Sequence, residues 1–161
     1  MSALAVLNGM DTAEAEGRFL AACGSREWVR RMTAARPFAS EEKLLETADR
    51  VWLGLCPEDW LEAFAAHPKI GERASGQAAR EQSGTRGASE ATLRDLAEAN
   101  HDYEKRFGHI FIVCATGKSA QEMLDLCRLR LHNDAREELA VAADEQRKIT
   151  RLRLEKWMAS P

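Results

Sequence analysis

Seven times along this chain a helix-starting residue stands just ahead of apolar side chains that recur three and four positions apart. Ser, Thr and Asp accept hydrogen bonds from the first, otherwise unpaired amides of a helix, and Pro fits a first turn that has no use for its missing N–H. Asp11 or Thr12 opens a helix to about Ala22, closed by Gly24. Ser25 opens a second, with Trp28, Val29 and Met32 on one face, ending before Pro37. Ser40 opens a third, whose stripe is Leu44, Leu45, Ala48, Val51 and Trp52. Pro57 suits the first turn of a fourth, Glu58 to Ala66, carrying Trp60, Leu61 and Phe64. Ser89 caps a long helix with Leu93, Leu96, Ala97 and Tyr103 inward, stopped by Gly108. Ser119 caps another with Met123, Leu126, Cys127 and Leu131 inward. Asp134 caps the last, to about Met158, with Leu139, Ala142, Ile149 and Leu152 on its inner side.

Composition supports helices throughout: of 161 residues 27 are Ala, while Val and Ile together number nine. Ala, Leu, Glu and Arg lose little on entering a helix, whereas β-branched residues favour strands. A chain of this length buries roughly two-thirds of its unfolded surface and needs no disulfide or metal to hold a core. Neither an internal repeat nor a low-complexity linker interrupts it. The expectation is all-α: a single compact helical domain over 1–161, of about seven to nine helices, with one short extended segment near 110–115.

Charge and cysteine usage exclude several function classes. The 23 basic and 26 acidic residues are interleaved and leave a net charge of −3, so neither a nucleic-acid footprint nor a polybasic membrane patch is expected. No apolar run approaches the roughly 20 residues of a membrane span, and the N-terminus lacks the basic and apolar regions of a signal peptide. Cys23, Cys56, Cys114 and Cys127 are separated by 33, 58 and 13 positions, without a C-x-x-C pair. Each lies in an apolar segment and is expected to be a reduced, buried thiol of a cytoplasmic protein. His67, His101, His109 and His132 show no metal-ligand spacing, so no metal is expected. Glycine-rich phosphate loops and the G-x-S-x-G elbow are also missing, which removes most nucleotide and acyl-enzyme chemistry.

Two segments depart from the helical pattern, and function concentrates where local rules break. The loop from His67 to Gly87 is long for a compact domain and rich in Gly. The run Ile110-Phe111-Ile112-Val113-Cys114-Ala115 takes three of the nine Val and Ile residues, yet no second segment offers it a β partner. Its backbone groups need partners of another kind. Side chains and water would supply them in a plain core linker; a ligand dense in amide-like groups would supply them in a binding site.

Three positions stand out for chemistry. His67 ends a helix directly before Pro68, which biases it toward extended backbone and projects the imidazole from the helix end, as a cap or as an acid–base group. Glu81 and Gln82 follow Arg80 in the long loop, an acid and an amide suited to a polar ring or simply to solvent. Arg153 shares a helix face with Ile149 and Trp157, so it must snorkel or find an anionic or carbonyl partner.

Taken in order, His67-Pro68-Lys69-Ile70-Gly71-Glu72, Arg80-Glu81-Gln82-Ser83-Gly84, Phe107-Gly108-His109-Ile110-Phe111-Ile112 and Lys148-Ile149-Thr150-Arg151-Leu152-Arg153-Leu154 resemble one family. It is the 2-oxo-4-hydroxy-4-carboxy-5-ureidoimidazoline (OHCU) decarboxylases of urate breakdown. Arg36-Pro37-Phe38, Leu131-x-Asn133 and Glu137-Glu138-Leu139 also match, so the resemblance runs from about Leu7 to Trp157. It implies a carboxy-lyase with no cofactor, forming (S)-allantoin and carbon dioxide from a small-molecule ureide. It places the essential histidine on His67, the motif acid on Glu81 and its amide on Gln82. It adds ligand contacts at Pro68, at Phe111, Ile112, Val113, Cys114 and Ala115, and at Arg153. Two departures stand: Ala78 replaces the motif serine, and Ile110 replaces a proline common before the extended run. Oligomeric state is not legible, although the resemblance raises a homodimer. A non-catalytic helical module burying a partner segment against 110–115 is the rival of another class. A metal-dependent ureide hydrolase is the rival enzyme.

Overall fold

The computed structural model describes residues 1–70 and 87–160, and the loop carrying Ala78, Glu81 and Gln82 lies outside them. Among the described residues there are eight helices and no strand. They are α1 (Ala3–Gly9), α2 (Thr12–Ala22), α3 (Arg26–Ala34), α4 (Glu41–Leu53), α5 (Pro57–Ala65), α6 (Glu90–Phe107), α7 (Ala120–Arg130) and α8 (Ala135–Ala159).

The start signals act as the sequence suggests. Asp11, Ser25, Ser40, Ser89 and Ser119 each accept a hydrogen bond from the amide three residues on. Ser119 and Glu122 complete a reciprocal capping box, and Asp134 accepts from the Glu137 amide at 2.7 Å. Gly108 closes α6 at φ +79°, the left-handed conformation that a side chain at this stop would strain. Two details differ. The chain also folds α1 behind Ser2, a helix too short to show a period. The α2 helix ends at Ala22 as expected, but the residue that stops it is Cys23, already extended, rather than Gly24.

Two compact units share the chain. One comprises Met1–Ala63 and Gln146–Pro161. Its core gathers Leu7, Phe19, Trp28, Met32, Leu44 and Leu154, all fully buried. Phe19 meets Trp28 and Trp157 edge to face, and the Trp28 indole donates to the Ala48 carbonyl. Arg36 of the Arg-Pro-Phe motif closes α1, its guanidinium donating to the Leu7 and Met10 carbonyls at 2.8 Å each. The other unit, Phe64–Glu145, packs α6 with α7 around Leu96, Tyr103, Met123, Leu124, Cys127 and the run 111–115.

The inner face of α8 departs from expectation. Leu139 and Leu152 are only half-buried, while Glu138, Ala142, Glu145, Gln146, Ile149, Thr150 and Leu154 are buried. Cys23, Cys114 and Cys127 are buried free thiols, but Cys56 is exposed. It sits at the start of α5, where its Sγ donates to Asp59. The burial expected of it does not occur.

Candidate active site

His67 follows α5 by two residues, and its amide donates to the Phe64 carbonyl at 3.2 Å, closing the last turn. A backbone bond therefore does the closing that a capping imidazole would otherwise do. His67 and Pro68 are half-buried, and the chain turns inward at Ile70, which is 7% exposed. The Ile70 carbonyl accepts from Asn100 Nδ2 at 3.2 Å, and Lys69 pairs with Glu104 at 2.9 Å, so two residues of α6 hold the stretch after His67. Asn100 Oδ1 is buried and has no hydrogen-bond partner among the described residues. It lines a narrow crevice with Lys69, Ile70, Glu104, Ile110 and Phe111. Sequence reasoning missed Asn100. It sits at the helical spacing of Leu96 and Tyr103, where an amide signals a buried polar job.

The second candidate element is the run 111–115, whose five residues are between 2% and 7% exposed. It carries neither helix nor strand: its composition reads as a strand, but no partner segment among the described residues pairs with it. Its backbone is held by charged side chains. Arg130 Nη1 donates to the Ile112 carbonyl at 2.7 Å, the Cys114 amide donates to Glu145 Oε1 at 3.1 Å, and Lys118 Nζ donates to the Cys114 carbonyl at 2.7 Å. The Lys118 amide donates to the Ala115 carbonyl at 3.0 Å. Side chains satisfy part of the run, while the Phe111 amide and carbonyl, the Ile112 amide, the Val113 amide and carbonyl and the Ala115 amide have no hydrogen-bond partner among the described residues.

Arg130 is itself built into a buried network. Its Nε and Nη2 reach Glu138 Oε2 at 2.9 and 2.6 Å, and Glu138, fully buried, also accepts from Asn133 Nδ2 and from the Tyr103 hydroxyl. The guanidinium lies 4.6 Å from the Phe111 ring centre, and Phe111 meets Tyr103 edge to face. Burial works against the Arg130 charge, yet its bond to Glu138 holds its pKa above the usual arginine value. Burial, reinforced by Glu138, drives the Tyr103 phenol far above its ordinary range, so it stays a donor. Asn133 of the Leu131-x-Asn133 motif and Glu138 of the Glu137-Glu138 motif meet in this network.

His109 stacks within the same unit on Phe107 and lies against Phe64 and Tyr103, its Nδ1 3.0 Å from the Ile110 carbonyl. Arg153 lies in the first unit, half-buried, and donates to the Ala22 carbonyl at 3.3 Å, the kind of carbonyl partner its position on α8 demands. Beside it Cys23 is pushed up to about 11, chiefly by burial. Among the described residues no three His, Cys, Asp or Glu side chains gather as a metal-ligand set, and no helix is long and apolar enough to cross a membrane.

The geometry can be set beside known proteins. The OHCU decarboxylase family matches residues 8–155. The uric acid degradation bifunctional protein TTL of Arabidopsis thaliana is 40% identical over 151 residues, 88% of this chain and 46% of that protein. The chain therefore spans a little under half the length of that relative. The 2-oxo-4-hydroxy-4-carboxy-5-ureidoimidazoline decarboxylase of Haloferax volcanii is 27% identical over 138 residues, 83% of this chain and 82% of the relative. A crystal structure of OHCU decarboxylase in the presence of (S)-allantoin superimposes with a TM-score of 0.82 at 40% identity, covering 88% of this chain and 97% of that one. A crystal structure of (S)-allantoin synthase, 17% identical, shares the fold with a TM-score of 0.74 over 96% of this chain and 54% of that one.

Proposed function

The chain belongs to the OHCU decarboxylase family, and we propose that it converts OHCU to (S)-allantoin and carbon dioxide in urate breakdown. The observation that carries this reading is the 40% identity and common fold with an OHCU decarboxylase whose crystal structure was determined in the presence of (S)-allantoin, over 97% of that chain.

Decarboxylation breaks a C–C bond and leaves its electron pair on carbon, which ordinarily calls for a cofactor as sink. In OHCU the carboxylate leaves C4, and the ring C=N at the neighbouring C5 takes up the electron pair as a C4=C5 double bond forms, its charge spreading to the C2 carbonyl oxygen, so the substrate is its own sink. The protein then has three tasks: to hold the ring, to stabilise the developing oxyanion, and to deliver a proton to one face of C5, the ureido-bearing carbon, while the C4 hydroxyl becomes the carbonyl of allantoin. His67 is the proton-delivering group, and Glu81 with Gln82 holds the ureido end. Pro68 and the run 111–115 hold the ring, the buried main-chain groups of the run suiting a ligand made of N–H and C=O groups. Arg153 serves ring or ureido oxygens rather than the leaving carboxylate, because binding that carboxylate tightly would stabilise the ground state and slow the reaction. No metal or organic cofactor takes part.

Fresh OHCU tests the reading. With enzyme and a chelator present, circular dichroism develops the signal of one allantoin enantiomer; a signal no larger than that of spontaneous decay overturns it. A chelator-sensitive reaction restored by one divalent metal would instead favour a ureide hydrolase.

A further inference from the structure

Three charged side chains grip the run 112–115, and each grips a different peptide group. Arg130 takes the Ile112 carbonyl, Glu145 the Cys114 amide and Lys118 the Cys114 carbonyl. The only cis peptide bond among the described residues is Arg36-Pro37, so these three peptides are trans. A trans peptide is planar with its C=O and N–H pointing opposite ways. Holding the Ile112 carbonyl therefore aims the Val113 amide away from Arg130. Holding the Cys114 amide aims the Val113 carbonyl away from Glu145, and holding the Cys114 carbonyl aims the Ala115 amide away from Lys118. Those three opposite groups have no hydrogen-bond partner among the described residues, and neither do the Phe111 amide and carbonyl and the Ile112 amide ahead of the clamp, although the residues that bear them are buried. Unsatisfied buried backbone groups are costly, and the three opposite groups form one donor–acceptor–donor row on a stretch whose other side is clamped.

We propose that Lys118, Arg130 and Glu145 are positioning residues, which lock three successive peptide planes so that Val113 N–H, Val113 C=O and Ala115 N–H face the substrate in fixed directions. The row suits a ring amide whose N–H and C=O lie on one edge, with a second ligand oxygen on Ala115. None of the three side chains needs to touch the ligand. Arg130 is held in turn by Glu138 and the Tyr103 ring, and Glu138 by Asn133, so the clamp is rigid before substrate arrives, which spares the ordering cost at binding. This rests on the proposed decarboxylase function, since it assumes that the substrate ring lies against 111–115.

Glu145→Leu, Glu145→Gln and Lys118→Met are compared with wild type. Helical content by circular dichroism, (S)-allantoin affinity by calorimetry, the KM and kcat for fresh OHCU, and the enantiomeric excess of the product are measured for each. Gln retains the acceptor for Cys114 N–H and Leu does not. Expected for Glu145→Leu is unchanged helical content, about tenfold weaker (S)-allantoin binding, a raised KM and a lower enantiomeric excess, with Gln recovering most of each. Lys118→Met is expected to weaken binding severalfold. Its half-exposed side chain makes it the deciding variant if Glu145→Leu fails to fold. Folded variants with wild-type affinity, KM and enantiomeric excess overturn the proposal. Wild type that binds (S)-allantoin through this clamp, losing affinity in the variants, but does not turn over OHCU would uphold the clamp and overturn the decarboxylase reading alone.

Discussion

His67 illustrates how far one side chain's job can be separated from its place in the fold. The turn after α5 is closed by the His67 amide on Phe64, so replacing the imidazole leaves that bond intact. His67→Asn is expected to cut turnover by about 10²–10⁴-fold, the usual worth of a positioned proton donor, while far-UV dichroism stays unchanged. Loss of helical signal would show that the ring is structural; normal turnover would remove it from the chemistry. Arg153 and Glu138 show opposite outcomes for a charge on a helix stripe. Arg153 reaches a carbonyl while staying half-exposed, whereas Glu138 is fully buried and must be paired completely. Breaking a buried ion pair by removing one partner leaves a stranded charge and costs about 3–5 kcal/mol. Glu138→Ala is therefore expected to lower unfolding stability by that amount in urea titration. A change under 1 kcal/mol would mean that water replaces the carboxylate beside Arg130.

At the scale of elements, the helix caps carry smaller and separable energies. Ser119 satisfies one otherwise orphaned amide of α7 and Glu122 returns the favour, a pair at the solvent edge. Ser119→Ala is expected to cost about 1 kcal/mol, several times less than losing Glu138, with activity retained once folded. A urea midpoint equal to wild type would show that the cap is redundant with solvent. The caps were legible in the sequence because each is a local bargain between a side chain and an amide three residues away. Their partners across the unit were not. Arg130 and Glu138 are eight residues apart on different helices, and Glu145 is 31 residues from the amide it accepts from. A spacing of 138, 142, 145 and 149 does match one helix face, which is the signal by which the two acids might have been assigned inward. Helical periodicity scored on apolar residues alone passes over it.

For the whole molecule, the buried thiols tie stability to alkaline pH. Burial pushes Cys23 from 9.0 to about 11 and Cys127 to about 12 in the folded chain. In the unfolded chain a thiol ionises near its ordinary value, so below pH 9 neither state gains from deprotonation and stability is full. Above it the unfolded state releases protons first, and stability falls as pH rises toward 11 and 12. Urea midpoints are expected to decline across that window. Replacing Cys23 and Cys127 by Ala should flatten the decline while lowering the plateau through lost packing. An equally steep decline in the double variant would assign it to other groups.

What the sequence determined by itself was whatever depends on neighbours in the chain: where helices begin and end, which segment refuses the helical pattern, and the ordered motifs that mark the family. His67 was legible because proline and a helix end act within a residue or two. The long loop bearing Glu81 and Gln82 was legible as a departure from the pattern, and its part in the site remains a proposal carried by its motif. Tertiary structure decided the rest. Whether a charged residue on a helix stripe is solvated or buried depends on what another helix brings to meet it, and that partner is remote in sequence. Only the fold brought Lys118, Arg130 and Glu145 onto one stretch of main chain. Peptide planarity then turns three charge contacts on one side of that stretch into a fixed set of hydrogen-bonding directions on the other.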